Sequence, residues 1–156
     1  YSGLNSQGRI AEFSNPDLTL QQAIEAYFSR QLFPLGQGER MLQCLRLHMR
    51  EMLEPTGQWE QEIEQNIAPV HDALAALFCR HLGLEQVDEG VQRLVLAVVS
   101  MPFILMTQSI VHITCPHILQ RADAASVAIA SHVRYALALV ESERAYRKQQ
   151  RAQGVP

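Results

Sequence analysis

Apolar residues recur at three- and four-residue steps along most of this chain, and nowhere do they alternate with the period of two that a half-buried strand requires. The pattern predicts an all-α protein. Its most regular stripe is Trp59, Ile63, Ile67, Val70, Leu74 and Leu77, which fall on one side of a single helix. Met41, Leu42, Leu45, His48, Met49 and Met52 form a second stripe, with Arg40, Gln43, Arg46 and Arg50 on the opposite side. Leu20, Ile24, Tyr27 and Phe28 form a third.

Local punctuation places the ends of these helices. Asn15-Pro16-Asp17 reads as a turn, and Thr19, three residues before Gln22, as the capping box of a helix running to about Phe33. Pro34-Leu-Gly36-Gln-Gly38 breaks that helix. The next one spans about Glu39 to Leu53; Pro55 stops it, and Thr56 is placed to cap its successor. Gly83 closes the successor as a left-handed terminal residue. Within the successor's apolar stripe sits Pro69, where a proline removes one backbone hydrogen bond and collides with the carbonyl four residues back, at a cost of roughly 3 kcal/mol. A bend is expected there. Asp88 opens a helix expected to reach Ile110, bent at Ser100-Met-Pro102. Thr114-Cys-Pro-His117 is a break, and Asp123 starts a last helix that passes Val140 into a polar end. About six helices result. They form one domain over residues 18–147, between a connecting segment, 1–17, and a polar tail, 148–156.

The two C-terminal helices carry more apolar surface than one core needs. In the last, Ile129, Val133, Leu137 and Val140 share one side, and Ala128, Tyr135 and Leu139 another. A helix apolar nearly all round has to be covered on both sides, and a two-fold pairing of identical copies does so with one patch. The last two helices of each copy would then form a four-helix interface.

Composition narrows the function. The 156 residues are 47% hydrophobic and 19% charged, which suits a globular domain, and the net charge of −3 offers no basic face to grip nucleic acid. Leu94 to Gln120 holds no Asp, Glu, Lys or Arg, long enough to cross a bilayer, but Ser100, Pro102, Gln108 and His112 interrupt it and no basic flank orients it. A buried helix is the better account, and no membrane contact is expected. Cys44, Cys79 and Cys115 lie far apart and are expected to be reduced, buried thiols. There is no nucleophile elbow, phosphate loop or His-Glu-x-x-His, so neither catalysis nor a cofactor is expected. His112, Cys115 and His117 make the most metal-like cluster, though no fourth ligand is near. Met49, Met52, Met101 and Met106, with Trp59 and Phe103, suit either a core or a pocket for apolar ligands. Tyr1 is not an initiating methionine, so a truncated or processed end is expected.

Two motifs carry a family likeness. Arg50-Glu51-Met52-Leu53-Glu54-Pro55-Thr56, followed by an acidic helix and then Ile67-Ala68-Pro69-Val70-His71, resembles the C-terminal regulatory domain of TetR-family transcriptional regulators, in particular the CecR-like subgroup. The resemblance covers about residues 18–145. It implies a ligand-sensing helical domain that forms a homodimer, in which a small apolar or aromatic effector enters a cavity between helices and alters the spacing of two DNA-reading heads. Operator DNA would be contacted only through an N-terminal helix-turn-helix that this sequence does not contain, and the protein would be cytoplasmic. By face, the resemblance implies a cavity lined by Leu45, His48, Met49, Met52, Trp59, Ile63, Ile67, His71, Val99, Phe103 and Met106. A dimer interface would include Val95, Ile110, Val127, Ser131, Arg134 and Ala138. A helical scaffold with a filled core, and a metal-responsive sensor using Cys115 with His112 and His117, are the competing readings.

Overall fold

The computed structural model describes residues 6–54 and 57–154, leaving aside the side chains of residues 6, 7, 45, 58 and 107. It is all-α, with no strand among the described residues. Helix α1 (Ser6–Ser14) and α2 (Leu20–Leu32) lead through a 3₁₀ turn (Phe33–Gly36) to α3 (Glu39–Leu53). Helix α4 (Gly57–Glu62) runs through a π turn (Ile63–Ile67) into α5 (Ala68–Leu82). Then come α6 (Glu89–Ser100), the short α7 (Phe103–Thr107), α8 (Ser109–Thr114) and α9 (His117–Gln120), and the long α10 (Ala124–Ala152).

Several ends form as their residues dictate. The Thr19 hydroxyl accepts from the Gln22 amide at 3.2 Å while the Gln22 side chain accepts from the Thr19 amide at 2.9 Å, a reciprocal capping box. Gly83 adopts φ 70°, and the Leu84 amide reaches back to the Cys79 carbonyl at 3.0 Å, the six-to-one bond of a Schellman close. Asp88 caps α6 through the Val91 amide at 2.9 Å. Asp123 precedes α10 but caps no amide; its carboxylate is engaged by Arg121 instead. The stop and cap expected at Pro55 and Thr56 lie outside the described residues.

The core gathers around α5. Val70, Leu74, Ala75, Leu77, Phe78 and Cys79 are all buried, which is more than one face of the helix. Helices α1 and α6 pack along α5, and α10 packs along α2. Phe13, Phe28 and Phe78 are the largest fully buried side chains. Phe13 places the end of α1 in this core, and Arg80 of α5 donates to the Phe13 carbonyl at 2.8 Å. Helix α3 sits apart from this assembly. Its main neighbours are the Phe33–Gly36 turn and α7, and Leu42 is its one buried side chain among those described.

The helix expected from Asp88 to Ile110 is broken twice. The first break, at Met101-Pro102, was signalled by the proline. The second falls at Gln108, which takes φ 58° although it is not glycine, a conformation costing on the order of 1–2 kcal/mol. Its side chain is buried beside the His112 ring, with Oε1 3.3 Å from Nε2. Glu89–Met106 is long and apolar enough to cross a membrane by composition. In this fold Val91, Leu94, Val95 and Val98 are buried within the core of the chain itself.

One clamp ties the far end of α10 to the start of α6. Arg147 pairs both guanidinium nitrogens with Asp88, at 2.6 and 2.7 Å, and its Nε with Glu143 at 2.7 Å. It crosses over Gly90, where an added Cβ would stand 2.5 Å from the Arg147 guanidinium. Arg147, and after it the Val91 amide, lowers the Asp88 carboxyl from 3.8 to about 2. A depressed carboxyl contributes stability above its unfolded value and loses it as pH falls through the folded one. Asp88→Asn keeps a capping acceptor but removes the charge. Urea midpoints should therefore fall below wild type at pH 7, with the deficit closing as pH drops from about 4 toward 2; a deficit unchanged with pH would mean the clamp is not ionic.

Candidate functional site

The physical reason for the π turn lies in Pro69. A regular helix would aim the missing amide and the ring of Pro69 at the carbonyl four residues earlier. Instead the chain widens one turn sooner, and the Ala68 amide closes on the Ile63 carbonyl five residues back. Pro69 then falls in the first turn of α5, where a proline amide has no partner to lose. The expected bend is thus relieved as a π turn, a feature that recurs at functional sites.

The π turn displaces the stripe that precedes it. Trp59 is buried and Val70 is buried, but Ile63 between them is 38% exposed and Ile67 half-buried. Trp59 meets the ring of His48 edge-on, with centroids 4.5 Å apart at 82°. That contact joins α3 to α4. Half-burial lowers the His48 pKa from 6.5, with Glu62 opposing, and Glu62 is itself held by Asn66 at 2.9 Å. Near neutral pH the ring therefore offers one donor and one acceptor.

Beside His48 opens a shallow pocket of about 350 Å³, lined by Met41, Cys44, Leu47, His48 and Glu51. Met41 and His48 stand at the edge of the apolar stripe of α3, and Cys44, Leu47 and Glu51 continue the lining beside it toward the outer side of the helix. Of the expected cavity residues, His48 alone is in this lining. Met49, His71, Val99 and Phe103 are half-buried, Met52 is exposed and Met106 is buried; the Leu45 side chain lies outside those described. His71 resembles His48 in having its pKa lowered by burial, against the pull of Asp72. The structure brings His48 and Trp59 together, and distributes the remaining candidates over α3, the π turn, α5, α6 and α7. Cys44, Leu47 and Glu51 were not marked by the sequence stripe, which runs beside them along α3. Cys44, expected to be a buried thiol, is exposed, because α3 turns that face outward.

The metal-like cluster does not assemble. Among the described residues no three His, Cys, Asp or Glu side chains stand where they could hold an ion. His112 turns toward Gln108, and the Cys115 thiol lies 3.4 Å from the Thr114 hydroxyl.

A second surface lies on α7–α9 and the first half of α10. Ile104, Ile110, Ile113, Ile118, Val127 and Tyr135 are all 40% exposed or more. On α10 the inner line is Ala128, His132, Ala136 and Val140, all buried. Val127, Ser131, Arg134 and Ala138 run along the outer side, with Arg134 over the Tyr135 ring at 4.9 Å. Val95 differs from the other expected interface residues. It is 3% exposed, because α6 turns that side toward α5 and α10, and its side chain belongs to the core.

The model of the C-terminal domain of the HTH-type transcriptional dual regulator CecR matches residues 20–139. The chain belongs to this family. It is a family of TetR-type transcription-regulator domains and not of enzymes, and its all-helical character agrees with the fold. The match begins at the first residue of α2 and ends within α10, taking in both the α3 pocket and the exposed apolar surface. Comparison with curated proteins and with solved structures returned no match.

Trp59 is the one tryptophan of the sequence, so its fluorescence reports on this site alone. Acidification should change its emission as the His48 ring gains a proton, with a midpoint below the usual histidine value of 6.5. His48→Gln should leave the emission flat from pH 5 to 8; a wild-type midpoint at or above 6.5 would contradict the partly buried contact.

Proposed function

We propose that this chain is the effector-sensing and dimerisation domain of a cytoplasmic transcriptional regulator, binding a small apolar or aromatic molecule at the α3–α4 face. The homodimer would transmit occupancy to operator DNA through a helix-turn-helix outside this sequence. The observation that carries the reading is the family match over residues 20–139, which takes in both an apolar pocket beside His48 and an apolar surface on α7–α10.

The coupling has a physical route. Helix α3 packs on the 3₁₀ turn and on α7, so an effector that shifts α3 also shifts the segment that leads to the exposed surface. A ligand moves such an equilibrium only by the difference in its affinity for the two arrangements, typically 1–3 kcal/mol. Helix α1 is the natural output, since Phe13, the Arg80 contact and the Arg30–Glu12 pair bind it to α5 and α2.

Light scattering tests the pairing. Wild type should run at twice the chain mass, and Ile110→Asp with Val127→Asp should run as a folded monomer; a wild-type monomer at micromolar concentration would end the dimer reading. Thermal shift across apolar and aromatic compounds tests the pocket. Binders should raise the melting temperature of wild type and not of Leu47→Glu, which alters the pocket lining, whereas a uniformly null panel would favour a scaffold without a cavity.

A further inference from the structure

Gln108 stands between α7 and α8 and belongs by its backbone to both. Its amide donates to the Ile104 carbonyl at 3.3 Å, the closing bond of α7. Its carbonyl accepts from the His112 amide at 2.8 Å, the opening bond of α8. Its ψ of −25° is a helical value, so what parts the two helices at this residue is its φ of 58°. Among the described residues it is the one non-glycine with positive φ.

Nothing local calls for a break here. Phe103 to Thr114 contains neither glycine nor proline, the residues that most readily end a helix. Phe103, Met106, Ile110 and Ile113 follow at steps of three, four and three, the stripe of one continuous helix. The structure divides that stripe. Met106 is 5% exposed, whereas Ile110 is 53% and Ile113 85% exposed. The buried side chains are instead Met106, Gln108 and Val111, which a single helix does not place on one face.

Local pattern and tertiary packing thus favour different conformations of the same segment. A residue with a side chain stays left-handed only where its surroundings over-determine it. Here they are the burial of the Gln108 side chain and its contact with the His112 ring. A conflict between local preference and global packing leaves a competing arrangement close in free energy.

We propose that Gln108 is a hinge with two settings, the left-handed one of this structure and a helical one in which α7 and α8 fuse. Fusion returns Ile110 and Ile113 to the line of Met106, so the setting decides whether they stand outward on the exposed apolar surface. Helix α3 packs on α7, so a movement of α3 reaches the hinge directly. The consequence for pairing rests on the reading of that surface as a dimer contact. The hinge itself rests on Gln108 and the divided stripe.

Gln108→Gly and Gln108→Ala remove the same buried amide and differ in the backbone they prefer. Glycine accepts positive φ at no steric cost, and alanine favours the helix. Proton NMR of the full chain reads the result. Cross-peaks from the α-proton of Met106 to the Ser109 amide, and from that of Thr107 to the Ile110 amide, mark a helix that runs through residue 108. They should be missing from wild type and Gln108→Gly and present in Gln108→Ala. Their absence from Gln108→Ala, or their presence in Gln108→Gly, would overturn the hinge. Should Gln108→Ala fail to fold, relaxation dispersion at the Ser109, Ile110 and Val111 amides decides. Exchange in wild type that disappears in Gln108→Gly supports the hinge; a flat wild-type profile, or equal exchange in both, overturns it. A wild-type monomer by light scattering would end the pairing consequence alone, because the cross-peaks read the hinge in either oligomeric state.

Discussion

Helix α5 has to be covered on more than one side, and most of the fold follows from that need. Its buried residues, Val70, Leu74, Ala75, Leu77, Phe78 and Cys79, do not fit on one stripe. Burying a Leu or Phe side chain contributes about 1.5–3 kcal/mol, so these positions add several kcal/mol to the gain from apolar burial. Helix α1 covers α5 on one side and α6 on another, and α10 closes the layer against α2. Phe13 is fixed within this arrangement, which turns α1 from a leading segment into part of the core.

The parts with least attachment to α5 are those suited to change. Helix α3 leans on a 3₁₀ turn and on α7, and the π turn widens the backbone between Trp59 and the core helix. Segments with few buried apolar contacts open at low free-energy cost, and binding elements are drawn from them. The pocket beside His48 and the broken helices α7–α9 both belong to this softer half. The rigid half gives it a frame, and His132 and Arg147 are two polar ties from α10 back to it. Under the proposed function the softer half carries both the sensing pocket and the pairing surface.

Much of this was legible in the sequence because local rules governed it. Thr19 with Gln22, Gly83 and Asp88 acted as their side chains or missing side chain require, whatever packed around them. The proline at 69 was legible as a defect but not as a π turn, since choosing between a kink and a wider turn depends on what the neighbouring helices hold in place. Gln108 was illegible: a non-glycine residue at positive φ is stabilised by burial and by His112, neither of which leaves a pattern. Val95 and Cys44 were misplaced for one reason. Periodicity tells which residues share a face, but not whether that face meets its own core, a partner or water. The Glu51 and Leu47 side of α3 escaped notice for the same reason.

The central claim is that a rigid frame around α5 carries a soft sensing face and a surface completed by a second copy. Hydrogen–deuterium exchange followed peptide by peptide, at a low and a high protein concentration, tests it most directly. The account predicts slow exchange in α2, α5 and α6 at both concentrations, fast exchange in α3 and the π turn at both, and protection in α7–α9 and the first half of α10 that rises with concentration. Uniform protection across α3 and α5, together with no concentration dependence in α7–α10, would contradict it.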